Sequence, residues 1–135
     1  MRAKLTRDEH GIFHIAAAEE IDRAWGLGYA HATDRALQLL FMRLLGRGEL
    51  SKYLDSSDAS LEIDTFFRRM NWAGEPDEVA ELSDRARAVC LAYAEGINAG
   101  LAGKVPWELK FAGYKKLEPW TIEDGFLLAR MTSYL

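Results

Sequence analysis

Three histidines, one cysteine and six serines are the side chains of this 135-residue chain from which hydrolytic or metal chemistry would be built. His10 and His14 stand four apart, the spacing of many helical metal pairs. The residues between them are Gly-Ile-Phe, which is not H-E-x-x-H, and the segment reads as strand. Both rings would share one strand face with no third ligand, so structural or solvent-facing roles are expected. His31 lies one turn ahead of Asp34 and Arg35. As a catalytic trio these lack a nucleophile, and a buried hydrogen-bond cluster is the expectation. Cys90 sits among Val89, Leu91 and Ala92 with no basic neighbour to lower its pKa, and reads as a packed thiol. Ser51, Ser56, Ser57, Ser60, Ser83 and Ser133 occur in no G-x-S-x-G context. Gly26-Leu27-Gly28 has no strand before it and no third glycine, which argues against a phosphate loop. The residues present compose no complete active site and no metal cluster.

The elements that would position chemistry are mostly helices. From Ala36 to Leu45 only Gln38 and Arg43 are polar, and a helix apolar on every side is expected to be wrapped by other structure. Ten residues cannot cross a bilayer. Gly46-Arg47-Gly48 marks a break after it. Before it, Ala18 to Ala32 reads as a helix of its own, with Glu19 and Glu20 near its positive end. Asp34 and Arg35, next to the apolar run, are expected to pair with other buried polar groups such as Arg7 or Asp8. At the start, 3–7 and 12–15 read as two short strands around the turn Asp8-Glu9-His10-Gly11. Two strands alone are marginal in water, so this hairpin is expected to join a sheet supplied from elsewhere.

Further on, Leu61, Ile63, Phe66, Phe67 and Met70 predict a helix that ends near Trp72-Ala73-Gly74. Glu75-Pro76 then predicts the start of an amphipathic helix through Val79, Leu82, Ala86, Val89, Tyr93, Ile97 and Leu101. The stretch 105–109 reads as a short turn or helix. Thr121 as N-cap with Asp124 at the capping-box position starts the last helix. That helix runs apolar to Leu135 with no stop signal, as expected if another chain covers the remainder.

A net charge of −4 with no Lys/Arg cluster argues against nucleic acid as partner. One cysteine permits no internal disulfide. The opening Met1-Arg2-Ala3-Lys4 has no apolar signal segment, which places the protein in the cytoplasm if Met1 is the native start. No repeat or linker divides residues 1–135, so a single unit is expected.

The stretch Gly26 to Leu54 also carries a family signature. Gly28, Tyr29, Ala32, Asp34, Arg35, Gln38, Arg43, Gly46 and Glu49 resemble the GYxxAxDRxxQM segment, Arg and GxxxE-type turn of the penicillin acylase family of N-terminal-nucleophile hydrolases. Arg7 to Ile15 resembles its RDxxGxPHI opening, with Phe13 in place of the usual Pro and His10 in place of an aromatic. Asp64 with Arg68 and Arg69 resembles its DxxxR segment. Tyr93 to Ala99 resembles YAxGVNA, Pro106-Trp107-Glu108 the PxE step, and Pro119 to Asp124 the PWxxxD segment.

The resemblance implies a fold that is mainly α, a helical α chain whose short hairpin joins the αββα core of a partner β chain cut from the same precursor. It implies that the catalytic serine begins that β chain, with its own α-amino group as base, so no catalytic residue is expected here. It further implies a small-molecule N-acyl substrate, β-lactam or acyl-homoserine lactone, no cofactor, and a periplasmic or secreted location. By position, the last helix would help line the acyl pocket, with Met131, Ser133 and Tyr134 as candidates, or would serve as ordinary interface packing. Arg7, Asp8, Asp34, Arg35 and Gln38 are expected to be structural. Some relatives bind calcium, but no ligand cluster matches here. The other reading is a non-catalytic helical interaction module, or a degenerate relative.

Overall fold

The computed structural model describes residues 2–74 and 78–134. It is mainly helical, with a two-stranded hairpin at the N-terminus, as the sequence predicts. Strands β1 (Lys4–Arg7) and β2 (Phe13–Ala16) pair antiparallel, Lys4 opposite Ala16 and Arg7 opposite Phe13. Asp8 builds the turn: its Oδ1 accepts from the N–H groups of His10 (2.9 Å) and Ile12 (3.0 Å), and Gly11 takes φ +78°. The hairpin lies against the next helix at Gly26, where an added Cβ would stand 2.6 Å from Ile15 Cγ2.

Helix α1 (Glu20–Gly46) joins what the sequence suggests are two helices. The division survives as a kink, since Arg35 has φ −130° and ψ 26° inside the helix. The expectation that its second half is apolar and wrapped on every side does not hold within this chain. Leu39, Leu40, Arg43 and Leu44 are buried, whereas Leu37 and Phe41 are 39% and 40% exposed. Among the described residues, the face of α1 that carries Leu37 and Phe41 lies away from the core with α4, where Leu39, Leu40 and Leu44 pack.

Helix α2 (Leu50–Tyr53) and helix α3 (Asp58–Met70) follow. The apolar residues Leu61, Ile63, Phe66 and Met70 do form a helix, but all four are exposed. Asn71, in the left-handed region, ends it. Helix α4 (Asp84–Leu101) starts later than the periodicity predicts. Glu75 and Pro76, where the start was expected, lie outside the described residues, and Glu78–Glu81 form a single 3-10 turn. Ser83 takes the non-helical N-cap conformation and accepts from Ala86 N–H at 3.2 Å, so the α-helix begins there. Helix α5 (Trp107–Ala112) and helix α6 (Ile122–Tyr134) complete the chain. Thr121 and Asp124 form the expected capping box: Thr121 N–H donates to Asp124 Oδ2 (3.0 Å) and Asp124 N–H to Thr121 Oγ1 (3.4 Å).

The core sits between α1 and α4, where Ala32, Leu39, Leu40, Leu44, Ala94, Ile97 and Leu101 meet Trp120 and Tyr114. The two helices touch backbone to backbone. A Cβ on Gly28 would strike Tyr93 O, and one on Gly96 would strike Trp25 O. Asn98 extends α4's grip to the start of α6, donating to Trp120 O (2.9 Å) and accepting from Trp120 N–H (2.7 Å). Among the described residues no helix is long and apolar enough to cross a membrane.

Candidate functional site

Two of the sequence-nominated residues, Met131 and Tyr134, come together on α6, three positions apart and therefore on one face. They line an apolar hollow of about 240 Å³ with Met42 and Leu45 of α1, Phe66 and Phe67 of α3, and Trp72. Met131 is buried and forms its inner wall; Tyr134 is 61% exposed and stands at its rim. The Trp72 and Tyr134 ring centroids lie 4.9 Å apart, and Trp72 meets Phe67 edge-on at 5.6 Å. Ser133 does not join them. It is exposed on another face, and its hydroxyl donates to Ala129 O at 2.7 Å.

The wall residues Met42, Leu45, Phe66, Phe67 and Trp72 were not singled out from the sequence. Met42, Leu45, Phe66 and Phe67 carry only the signal of an apolar period, which reads equally well as core, and Trp72 reads only as the end of a helix. Leu135 lies outside the described residues.

What fixes α6 relative to α1 is a buried charge cluster. Arg43 is 1% exposed and Asp124 2%, and Nη1 of the arginine donates to Oδ2 of the aspartate at 3.3 Å. Arg43 also donates to Glu118 O, Pro119 O and Tyr114 Oη at 3.2–3.3 Å. Its guanidinium stands 5.4 Å from the Trp120 ring centroid. Arg47, half-buried, donates to Asp124 Oδ1 at 2.6 Å and to Glu118 Oε2 at 3.0 Å. A buried arginine is tolerable when its donors are all directed at acceptors, and here the loop before α6 supplies them. Beside this cluster Gly46 lets α6 approach closely: a Cβ there would stand 2.8 Å from Leu127 Cδ1 and collide with Met131 Sδ.

A second buried carboxylate, Asp64, caps α2 from α3. It accepts from Leu50 N–H (2.9 Å), Ser51 N–H (2.8 Å) and Ser51 Oγ (2.6 Å). Burial favours its protonated form, but the Ser51 hydroxyl, these N–H groups and the Arg68 charge prevail and hold its pKa below the usual value.

The residues expected among buried polar groups near the kink lie at the surface. Asp34 does pair with Arg7, one of the two partners anticipated, but its side chain is 38% exposed. Arg7 also donates to Gly11 O (2.8 Å) and lies over the Phe13 ring. Asp8 pairs with His14 Nε2 at 2.8 Å instead of with α1. Arg35 and Gln38 line a shallow exposed groove with Asp34, Leu37 and Phe41. Burial fails here because the hairpin covers only the N-terminal half of α1.

His31 bonds to the Tyr93 hydroxyl through Nδ1 (2.8 Å), not to Asp34 or Arg35. Partial burial lowers its pKa, and the Asp34 charge opposes this only in part.

Cys90, half-buried, lines an apolar groove with Leu27, Val89, Tyr93, Ile122 and Phe126. Among the described residues no hydrogen bond joins a serine or Cys90 to a histidine. The hydroxyls of Ser51, Ser57 and Ser60 point at Asp64 and Asp55. No group of three or more His, Cys, Asp or Glu is placed to hold a metal among these residues. This arrangement can seat an apolar chain.

Comparison with known proteins gives a consistent picture. The family model described as Penicillin amidase matches residues 2–135. Acyl-homoserine lactone acylase QuiP of Pseudomonas aeruginosa is 33% identical over 130 residues, 93% of this chain and 14% of that protein. The protein of the same name from Pseudomonas fluorescens strain Pf0-1 is 37% identical over 90% of this chain and 15% of its own length. Penicillin G acylase of Escherichia coli is 32% identical over 71% of this chain and 11% of its length. The chain therefore spans about a seventh of the length of the curated relatives it matches. Among solved structures, a thermostable penicillin G acylase from Alcaligenes faecalis aligns with TM-score 0.80 and 25% identity, over 98% of this chain and 73% of that one.

Proposed function

Because the chain belongs to the penicillin amidase family, we propose that it is the α part of an N-acyl amide hydrolase whose catalytic N-terminal serine stands on a separate β chain of the same precursor. In this reading residues 1–135 act as one unit. The β1–β2 hairpin extends the β chain's sheet through its unpaired edge, and Arg7, Asp8, Asp34, Arg35 and Gln38 shape the surface on which that chain sits. The exposed Leu37 and Phe41 are covered in the assembly.

The carrying observation is the apolar hollow of Met42, Leu45, Phe66, Phe67, Trp72, Met131 and Tyr134. Its lining suits a hydrocarbon acyl chain: Met adapts to irregular shapes, and the aromatic rings supply broad apolar area. The substrate we favour is an acyl-homoserine lactone. Relatives named for that activity match at 33–37% identity, and an alkyl chain fills such a hollow along its length. Amide cleavage then follows the acyl-enzyme route: the β-chain serine attacks the amide carbonyl and gives its proton to its own α-amino group. The C–N bond breaks as that proton passes to the departing amine, and water hydrolyses the acyl ester to release the acid and restore the serine.

The test is made on the full precursor. It should cut itself and expose a new N-terminal serine, threonine or cysteine, and should hydrolyse N-acyl substrates. Met131→Leu and Tyr134→Ala should then change the preferred acyl length, because one methylene of fit is worth about 1–3 kcal/mol. A uniform fall across all chain lengths would remove the hollow from the site. Absence of self-cleavage would instead favour a non-catalytic module.

A further inference from the structure

Arg130 takes no part in lining the hollow, yet its guanidinium holds the residue that closes it. Nη1 donates to Trp72 O at 2.9 Å, and Nη2 pairs with the Glu78 carboxylate. Arg130 and Tyr134 are one helical turn apart on the same face of α6. They grip Trp72 from two sides: Arg130 takes its backbone carbonyl, and Tyr134 packs against its ring with centroids 4.9 Å apart.

The turn that presents Trp72 is shaped for this grip. It runs between two left-handed residues, Asn71 at φ 50° and Gly74 at φ +79°, and is closed by Gly74 N–H donating to Asn71 O at 3.0 Å. Glycine suits this position: its φ is strained for residues with a side chain, and a Cβ there would stand 2.5 Å from Arg130 Nη1 and 2.7 Å from Glu78 Oε2, so the ends of those two side chains would have to shift. The backbone at 74 thus lies directly under the ion pair.

We propose that Arg130 is a positioning residue for acyl-chain selectivity, acting through Trp72. By bridging the Trp72 carbonyl and Glu78 it fixes the indole as the wall of the hollow, and so sets the longest chain the hollow accepts. The acyl part of this inference rests on the proposed function; the latch itself does not. A planar guanidinium suits the task because it offers parallel donors to a carbonyl and a carboxylate at once.

The experiment uses the full processed enzyme as parent, Arg130→Gln, Trp72→Phe and the double variant, with Glu78→Gln as the milder lesion should Arg130→Gln fail to fold. Two readouts separate the latch from the activity. With fluorotryptophan incorporated, fluorine NMR identifies the Trp72 resonance as the one missing in Trp72→Phe. That resonance should shift or broaden in Arg130→Gln and in Glu78→Gln while the other indole signals stay in place. An unchanged Trp72 resonance overturns the latch, whether or not the enzyme hydrolyses N-acyl substrates.

The second readout is kcat/KM over straight-chain N-acyl homoserine lactones from butanoyl to dodecanoyl. The dodecanoyl-to-butanoyl ratio should change by about tenfold in Arg130→Gln. Adding Arg130→Gln to Trp72→Phe should change it little further, because the two act as one unit. Additive effects, or an equal loss for all chain lengths, overturn the assignment of Arg130 to selectivity. A moved Trp72 signal in an enzyme that cleaves no N-acyl substrate would leave the latch standing and refute the proposed function.

Discussion

Arg43 and Asp124 face each other at 3.3 Å with 1% and 2% of their side chains exposed, although they lie on different helices, 81 residues apart. Removing one member of such a pair leaves the other charge buried without its counter-ion. Asp124→Ala should therefore destabilise the protein by about 3–5 kcal/mol. Arg47→Gln, at the more exposed edge of the cluster, leaves Asp124 paired with Arg43 and should cost less, about 1.5–3 kcal/mol. Denaturant unfolding of the two variants beside the parent checks the ordering; equal costs would contradict it.

Asp34 offers the contrast. Its partner Arg7 is 41% exposed and its own side chain 38%, so solvent and salt screen the pair. Asp34→Ala should lower stability by no more than about 1 kcal/mol. Thermal melting at low and high salt is the check. A loss of several kcal/mol that salt does not alter would show that another surface buries the pair.

Asp64 predicts an acid-dependent loss of stability. Its folded pKa lies below the usual 3.8, so its contribution is complete above that value and disappears as pH falls through the lower folded value. Asp64→Asn should cost about 1–3 kcal/mol at neutral pH, since the amide cannot satisfy the same three donors. The gap between parent and variant should narrow below about pH 4. Unfolding curves across that range would show it, and a gap constant with pH would refute the assignment.

Glycines at two places should respond oppositely to alanine. At Gly28 the added methyl would meet the Tyr93 carbonyl, whereas at Gly125, inside α6, nothing lies within 4 Å. Gly125→Ala should stabilise by roughly 0.5–1 kcal/mol through helix propensity. Gly28→Ala should destabilise well beyond that, because backbone on both sides cannot yield. Melting temperatures of the two variants decide it.

The parts of this fold legible in the sequence are those encoded within a few residues. The capping box of Thr121 and Asp124, the Asp8 turn and the helix at 58–70 follow from local spacing. What was missed depends on residues far apart in sequence. Asp124 read only as a cap, because nothing near it announces Arg43. Asp64 reads as part of a motif, yet its oxygens serve α2, more than ten residues earlier. The periodicity predicts too early a start for α4 because Val79 and Leu82 continue the apolar period upstream of the Ser83 cap. Of the candidate site, position on the last helix points to Met131, Ser133 and Tyr134, of which Met131 and Tyr134 line the hollow. It does not point to the wall opposite them, because an exposed Phe66 and a core phenylalanine look alike in a sequence.

The glycine seam between α1 and α4 has a consequence for how such a chain can diversify. Its two sides are separated by about seventy residues, and that intervening loop contains α2, α3 and the turn bearing Trp72. Closing a longer loop costs only about 0.6 kcal/mol per doubling of its length. Insertions at surface positions such as Ser56 would leave the seam formed, whereas any side chain at Gly28 or Gly96 would force the helices apart. Evolution can therefore remodel the wall of the hollow at little risk to the scaffold, provided those two positions stay glycine.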